Sequence, residues 1–225
     1  MKTLAESALK AVAATSHMTV KAAQERERIA SVLKDDRSPV TIADIAVQVA
    51  ITAILRTEGV PHCDRIVGEE SSDSLTGDNG EYMQEEVMKL VSSALLAAGM
   101  EAAIPKNHAE LIELLNAGGL DPEAEHRKAF WCLDPIDGTK GFLRGGQFAI
   151  ALAYVVEAHP TIGVLGCPHL SAGVTDDYGI ADTIGSSYVG ILDNGNGQAF
   201  SGPSSSTSLS EMTSILLLKL QIQNL

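Results

Sequence analysis

Trp131-Cys132-Leu133-Asp134-Pro135-Ile136-Asp137-Gly138-Thr139-Lys140-Gly141-Phe142-Leu143-Arg144-Gly145 carries more information than any other stretch of the chain. Its apolar start reads as a strand, its middle as a turn and its end as the opening of a helix. Asp134 and Asp137 can point into one site, and the turn offers the Ile136 carbonyl as a third oxygen. Oxygen-only donors suit Mg²⁺, which keeps several waters and takes further oxygens from a bound phosphate. Gly138 and Thr139 would open the helix with free N–H groups that favour a phosphate. Asp, Pro and Gly are also the usual turn residues, so Asp-Pro-x-Asp-Gly alone fits an ordinary connection equally well. The full string points to a magnesium-dependent phosphoryl-transfer or phosphate-hydrolysis site.

Working outward, the segments on either side alternate between helix and strand patterns. Residues 2–34 place Leu4, Ala8, Ala11, Val12, Ala22, Ile29 and Val32 at spacings of three and four, which predicts a helix. Thr41 to Thr57 repeats the pattern until Gly59-Val60-Pro61 stops it, and Arg65-Ile66-Val67 is a short strand ending at Glu69 and Glu70. A loop over 71–80 precedes helices near 81–98 and 106–116, closed by Gly99 and Gly118-Gly119. Phe130 to Leu133, Phe148 to Val156 and Thr161 to Leu165 are strands, with His159-Pro160 as the turn between the last two. This order predicts an α+β layered fold in which helices flank a mostly antiparallel sheet. Residues 183–193 have room for one more strand pair. Residues 194–210, rich in Gly and Ser, read as flexible linker, and Ile215 to Leu220 as an apolar helix or tail. The expected division is a domain over 1–193 and a divergent segment over 194–225.

Composition excludes several partners. Lys+Arg 16 against Asp+Glu 29 gives a net charge of −13, which disfavours nucleic-acid polymers and anionic membranes. A small anion remains admissible, because bound Mg²⁺ inverts the local field. No apolar run reaches the roughly 20 residues of a membrane span. Cys63, Cys132 and Cys167 are odd in number and widely spaced, which fits reduced thiols in an intracellular, cytoplasmic protein, an organellar address removed before Met1 remaining open. Cys132 and Cys167 lie in apolar runs and are expected in the core. The six histidines show no ligand spacing.

The central string resembles the inositol-monophosphatase-like superfamily of Mg²⁺-dependent, lithium-sensitive phosphatases. Leu133 to Gly145 is similar to its 3′(2′),5′-bisphosphate nucleotidases, since inositol monophosphatases usually have Thr-Asn-Phe in place of Lys140-Gly141-Phe142. Ser38-Pro39-Val40-Thr41-Ile42-Ala43-Asp44 resembles the family's first motif and Ile66-Val67-Gly68-Glu69-Glu70 its second. Ile162 to Pro168 looks like the strand that follows.

The resemblance implies two or three Mg²⁺ ions. Glu69, Asp134 and the Ile136 carbonyl would hold the first, Asp134 and Asp137 the second, and Glu69 a third through waters. Thr139 and Asp44 would activate water, Gly138 and Thr139 would meet the phosphate, and the substrate would be a small phosphorylated nucleotide. That substrate is adenosine 3′,5′-bisphosphate, with its sulfated counterpart 3′-phosphoadenylyl sulfate. Bland rivals stand beside these roles: Asp44 as a helix cap, Glu70 as a carboxylate on the surface or just behind the ligands, Lys140 and Arg144 as partners of acids rather than phosphate. Family members carry a further domain of roughly one hundred residues. Its Trp-Asp motif supplies a ligand of the second metal, and no Trp-Asp occurs here; Asp176, Asp177, Asp182 and Asp193 are candidates by charge only. The chain is therefore expected to be an N-terminal portion of reduced activity, with two alternatives: a non-catalytic metal- or partner-binding form, and a phosphatase of inositol phosphates.

Overall fold

The computed structural model describes residues 1–33, 38–76, 79–119, 128–170, 185–193, 196–203 and 205–216, with backbone alone for 25–33, 38–40, 193, 196 and 213–216. Two long helices, α1 (Lys2–Leu33) and α2 (Ser38–Thr57), pack on one another and against one face of a sheet. Seven strands lie in sequence order: β1 (Ile66–Val67), β2 (Phe130–Asp137), β3 (Ala149–Val156), β4 (His159–Cys167), β5 (Ser186–Asp193), β6 (Asn196–Pro203) and β7 (Thr213–Leu216). Among the described residues the β1–β2 pair alone is parallel, and every other pair of neighbours is antiparallel. The expected α+β layering, a mostly antiparallel sheet flanked by helices, is what forms.

Register explains which residues become core. Trp131 faces Tyr154, Tyr154 faces Ile162 and Ile162 faces Ile191; in the next row Leu133, Leu152, Val164 and Val189 align. Both rows are buried beneath the helices, as strand alternation requires. Gly166 continues the same face, where a Cβ would press on Val12 and Ser16 of α1, so its bare backbone lets helix and sheet approach. The helix side answers with small residues, Ala5, Ala8 and Ala11 being fully buried. Thr15 and Ser16 are buried too, their hydroxyls bonded to the Ala11 and Val12 carbonyls at 3.0 and 2.8 Å. α2 is apolar on nearly every side, which suits a helix packed by α1, α3 (Gly80–Ala97), α4 (His108–Asn116) and β2.

Several expectations change. Cys132 lies on the sheet's other face and is exposed, and Cys167 is half-buried. An apolar run does not reveal which face of a half-covered sheet a residue joins. The β3–β4 turn is Glu157-Ala158, with φ of 50° and 63°, one pair before His159-Pro160. This left-handed pair matches the sheet's twist, and Pro160 sits at the start of β4, where a missing N–H is tolerated. Residues 183–193 give one strand rather than a pair. The stretch expected as linker contains β6, with Asp193 paired to Asn196 across a two-residue connection whose Asn-Gly sequence is a strong hairpin signal. Of the stretch Ile215 to Leu220 expected as an apolar helix or tail, Ile215 and Leu216 belong to the strand Thr213–Leu216, and residues 217–220 lie outside the described residues. Asp176, Asp177 and Asp182 lie outside the described residues. No helix among the described residues is long and apolar enough to cross a membrane.

Candidate active site

Three chain segments meet where the ends of β1 and β2 approach α2. β1 runs parallel to β2 with Ile66 beside Trp131 and Val67 beside Cys132. Continuing that register brings Glu69 abreast of Asp134. Antiparallel pairing with β3 holds Asp134 opposite Ala151, then slips before Asp137 meets Ala149. Pro135-Ile136 occupies this bulge, as expected of a residue without an N–H, and the bulge re-aims the carboxylates that flank it.

Gly138 then turns the chain with φ 92° and ψ 40°, and α5 (Thr139–Leu143) begins. The Gly138 carbonyl accepts from the Gly141 and Phe142 N–H groups at 2.7 and 3.2 Å. Phe142 is fully buried and meets Phe148 edge-on at 5.2 Å, anchoring this short helix. A Cβ on Gly141 would overlap the Gln147 carbonyl oxygen, so the return of the chain depends on that glycine. The Thr139 hydroxyl lies 3.4 Å from the Ile136 carbonyl oxygen, a long hydrogen bond.

The carboxylates crowd one another. Asp44, 8 % exposed on α2, is pushed up to about 8 by burial and then by the charges of Glu70, Glu69 and Asp134. Burial also raises Asp134, with Glu69 and Asp137 adding to the effect and a backbone hydrogen bond at Ile136 opposing it. Glu70 is raised by burial and by Glu69, against a weak bond from Ser74 Oγ at 3.5 Å. Asp134 Oδ1 is buried and has no hydrogen-bond partner. Even so, among the described residues no three His, Cys, Asp or Glu side chains close into a ready-made cation cage.

These observations fit a hard divalent cation. The donors are carboxylates and a carbonyl, one buried carboxylate oxygen lacks a partner, and the mutual repulsion is what a bound cation relieves. Of the residues singled out from sequence, Asp44, Glu69 and Asp134 influence one another electrostatically, and Asp137 acts on Asp134. Glu70 is no bystander, since its charge acts on Asp44 more than that of Glu69 does. Lys140 and Arg144 are exposed and join no ion pair among the described residues.

Gln48 escaped notice in the sequence. It is fully buried one turn after Asp44, and its amide bonds to Glu70 and Leu115. The available signal was a lone amide inside Ile45-Ala46-Val47-Gln48-Val49-Ala50-Ile51.

Comparison with known proteins places the chain in a family. The 3′(2′),5′-bisphosphate nucleotidase of Emericella nidulans is 35% identical over 208 residues, 89% of this chain and 55% of that protein. The 3′(2′),5′-bisphosphate nucleotidase 1 of Arabidopsis thaliana is 34% identical over 168 residues, 72% of this chain and 46% of that protein. The chain thus spans about half the length of these curated relatives. The crystal structure of CysQ from Bacteroides thetaiotaomicron, a bacterial member of the inositol monophosphatase family, shares the fold with a TM-score of 0.50 at 19% identity. That match covers 97% of this chain and 59% of the other. With the model of that family matching residues 1–218, the chain belongs to the inositol monophosphatase family.

Proposed function

We propose that the chain carries the metal-binding centre of a Mg²⁺-dependent phosphatase that removes the 3′-phosphate of adenosine 3′,5′-bisphosphate, giving AMP and inorganic phosphate. The observation that carries the reading is the cluster itself: Asp134 with an unpartnered buried oxygen, held above the usual carboxylate range by burial and by the charges of Glu69 and Asp137. The names of the curated relatives favour a bisphosphorylated nucleotide as substrate, and 3′-phosphoadenylyl sulfate has the same 3′-phosphate.

In this reading Glu69, Asp134 and the Ile136 carbonyl would hold one Mg²⁺, Asp134 and Asp137 would hold a second, and Glu69 would support a third through water. Bound Mg²⁺ would supply Lewis-acid polarisation of the phosphate and a lower pKa for the attacking water. The backbone at Gly138 and Thr139 orients the phosphate oxygens at the start of α5. Thr139 holds the water through its hydroxyl and passes the water's proton toward Asp44, since a threonine is no base by itself. Asp44 suits the receiving role by position, buried on α2 within reach of the charges of Glu69 and Asp134, and bound Mg²⁺ would favour the ionised carboxylate that accepts the proton. Water oxygen bonds to phosphorus, the P–O3′ bond breaks, the 3′ oxygen takes a proton from solvent to become the hydroxyl of AMP, and Asp44 returns the proton it received to solvent.

The test is phosphate release from adenosine 3′,5′-bisphosphate, from 5′-AMP and from inositol 1-phosphate, each with Mg²⁺ and with EDTA. Release from the bisphosphate alone, abolished by EDTA, is expected. Preference for inositol 1-phosphate, or release indifferent to EDTA, would contradict the proposal.

A further inference from the structure

Gln48 ties together three segments that are distant in the chain. Its Nε2 donates to the Glu70 carbonyl at 2.9 Å and to the Leu115 carbonyl, near the end of α4, at 3.0 Å. Its Oε1 accepts from the Glu70 N–H at 3.1 Å. Glu70 is therefore held by both its backbone groups to one side chain. The amide is seated as tightly as it is bonded. A Cβ on Gly68 would overlap its Oε1, and one on Gly118 its Nε2. The Gly68 N–H in turn donates to the Gly118 carbonyl at 2.8 Å, and Val67 bridges Gly119.

Asp44 and Gln48 are one turn apart on α2, so their side chains share a helix face. The helix that presents Asp44 thus also fixes the backbone of the segment that presents Glu69 and Glu70. Carboxylates that repel one another need such a restraint. Nothing in the Glu69-Glu70 side chains would hold them near Asp44 and Asp134 before a cation arrives, and β1, only two residues long, is a weak tether.

We infer that Gln48 is a positioning residue for the metal centre, its amide bolting the Glu69-Glu70 segment to the helix that carries Asp44, so that a divalent cation has only side chains, and not the backbone, to draw into place. This rests on the cation reading above. A primary amide is suited to the task because it donates twice and accepts once without adding charge beside the cluster. An isosteric apolar side chain fills the same space and takes the partner from the Glu70 N–H and carbonyl, while the Leu115 carbonyl keeps the Gly118 N–H at 3.0 Å. Outer supports of this kind commonly change metal affinity by roughly 10–100-fold when altered.

The experiment is Mn²⁺ binding by the 225-residue chain, followed by electron paramagnetic resonance of the free ion. Gln48→Met is compared with Thr52→Val and Asp134→Asn at a temperature where all are folded by circular dichroism. Thr52 is a fair control, because it is fully buried on the next turn and its hydroxyl bonds only to the Gln48 carbonyl, at 2.8 Å. Gln48→Met is expected to weaken Mn²⁺ binding by roughly tenfold or more and to speed hydrogen exchange at the Glu70 N–H. Thr52→Val is expected to lower the melting temperature with Mn²⁺ affinity unchanged, and Asp134→Asn to abolish binding. Equal affinity in Gln48→Met and the unmodified chain overturns the inference, as does an equal loss in Thr52→Val. Where Gln48→Met does not fold, Gln48→Glu at the same position takes its place with the same expectation. Absence of saturable binding by the unmodified chain overturns the cation reading itself, and the inference with it.

Discussion

Asp134 on β2 is one of three carboxylates whose charge, added to burial, pushes Asp44 on α2 up to about 8. A helix and a strand distant in the chain therefore share one electrostatic unit, and its consequences extend to stability.

Without a divalent cation, folding should weaken as pH rises. Asp44 holds its proton more tightly folded than unfolded, so ionisation opposes the folded state. The contribution is full below the ordinary carboxylate pKa of about 4 and is lost as pH rises to about 8. Glu70 and Asp134 are raised as well and steepen the slope. Melting temperatures in EDTA from about pH 5 to about pH 9 should fall, and Asp44→Asn should flatten the fall. With Mg²⁺ the slope should shrink, because the cation favours the ionised forms. A slope unchanged by Asp44→Asn would count against the shared unit.

Asp134→Asn should separate stability from metal binding. Removing the charge relieves repulsion from Glu69 and Asp137, so the cation-free protein should melt higher. A gain of 1 kcal/mol corresponds to about 2–4 °C at this chain length. The further stabilisation that Mg²⁺ gives the unmodified chain should vanish. Scanning calorimetry with EDTA and with Mg²⁺ reads both effects, and a cation-induced shift surviving in the variant would be the contrary result.

Gly141→Ala should damage the turn that follows the metal-binding string. The new methyl overlaps the Gln147 carbonyl oxygen, which is backbone and moves only if the return of the chain moves. A loss of at least about 1–3 kcal/mol is expected, measured by urea denaturation. A neutral variant would show that residues 138–147 take another path.

Trp131→Phe probes the far end of the same strand. The indole is fully buried, donates to the Pro61 carbonyl at 3.1 Å and lies 4.9 Å from the Tyr154 ring. The phenyl leaves that carbonyl unpaired and a partial void, costing about 1–3 kcal/mol. Urea denaturation followed by circular dichroism gives the value. The carboxylate cluster should be untouched, so the Mg²⁺-induced shift should persist.

The long helices and the central motif were legible because their signals are local. Three-four spacing marks α1 and α2, and Asp134-Pro135-Ile136-Asp137-Gly138 announces a turn whatever surrounds it. What depends on partners was not legible. β6 is built from Gly, Ser, Asn and Gln residues that resemble linker, and it becomes a strand by pairing with β5 along its whole length. Cys132 is exposed because the helices cover only the face occupied by Trp131 and Leu133. Gln48 is only a lone amide in an apolar helix until Glu70 and Leu115 are brought to it by contacts far apart in sequence. Glu70 reads as a surface neighbour of Glu69, and its influence on Asp44 emerges only when β1 is set beside α2.

The most direct measurement is phosphate release from adenosine 3′,5′-bisphosphate with Mg²⁺, by the unmodified chain and by Asp134→Asn, both confirmed folded. Release by the unmodified chain that drops to background in the variant is the expected result. Equal release by the two, or none from a folded chain that binds Mg²⁺, would contradict a phosphatase centred on Asp134.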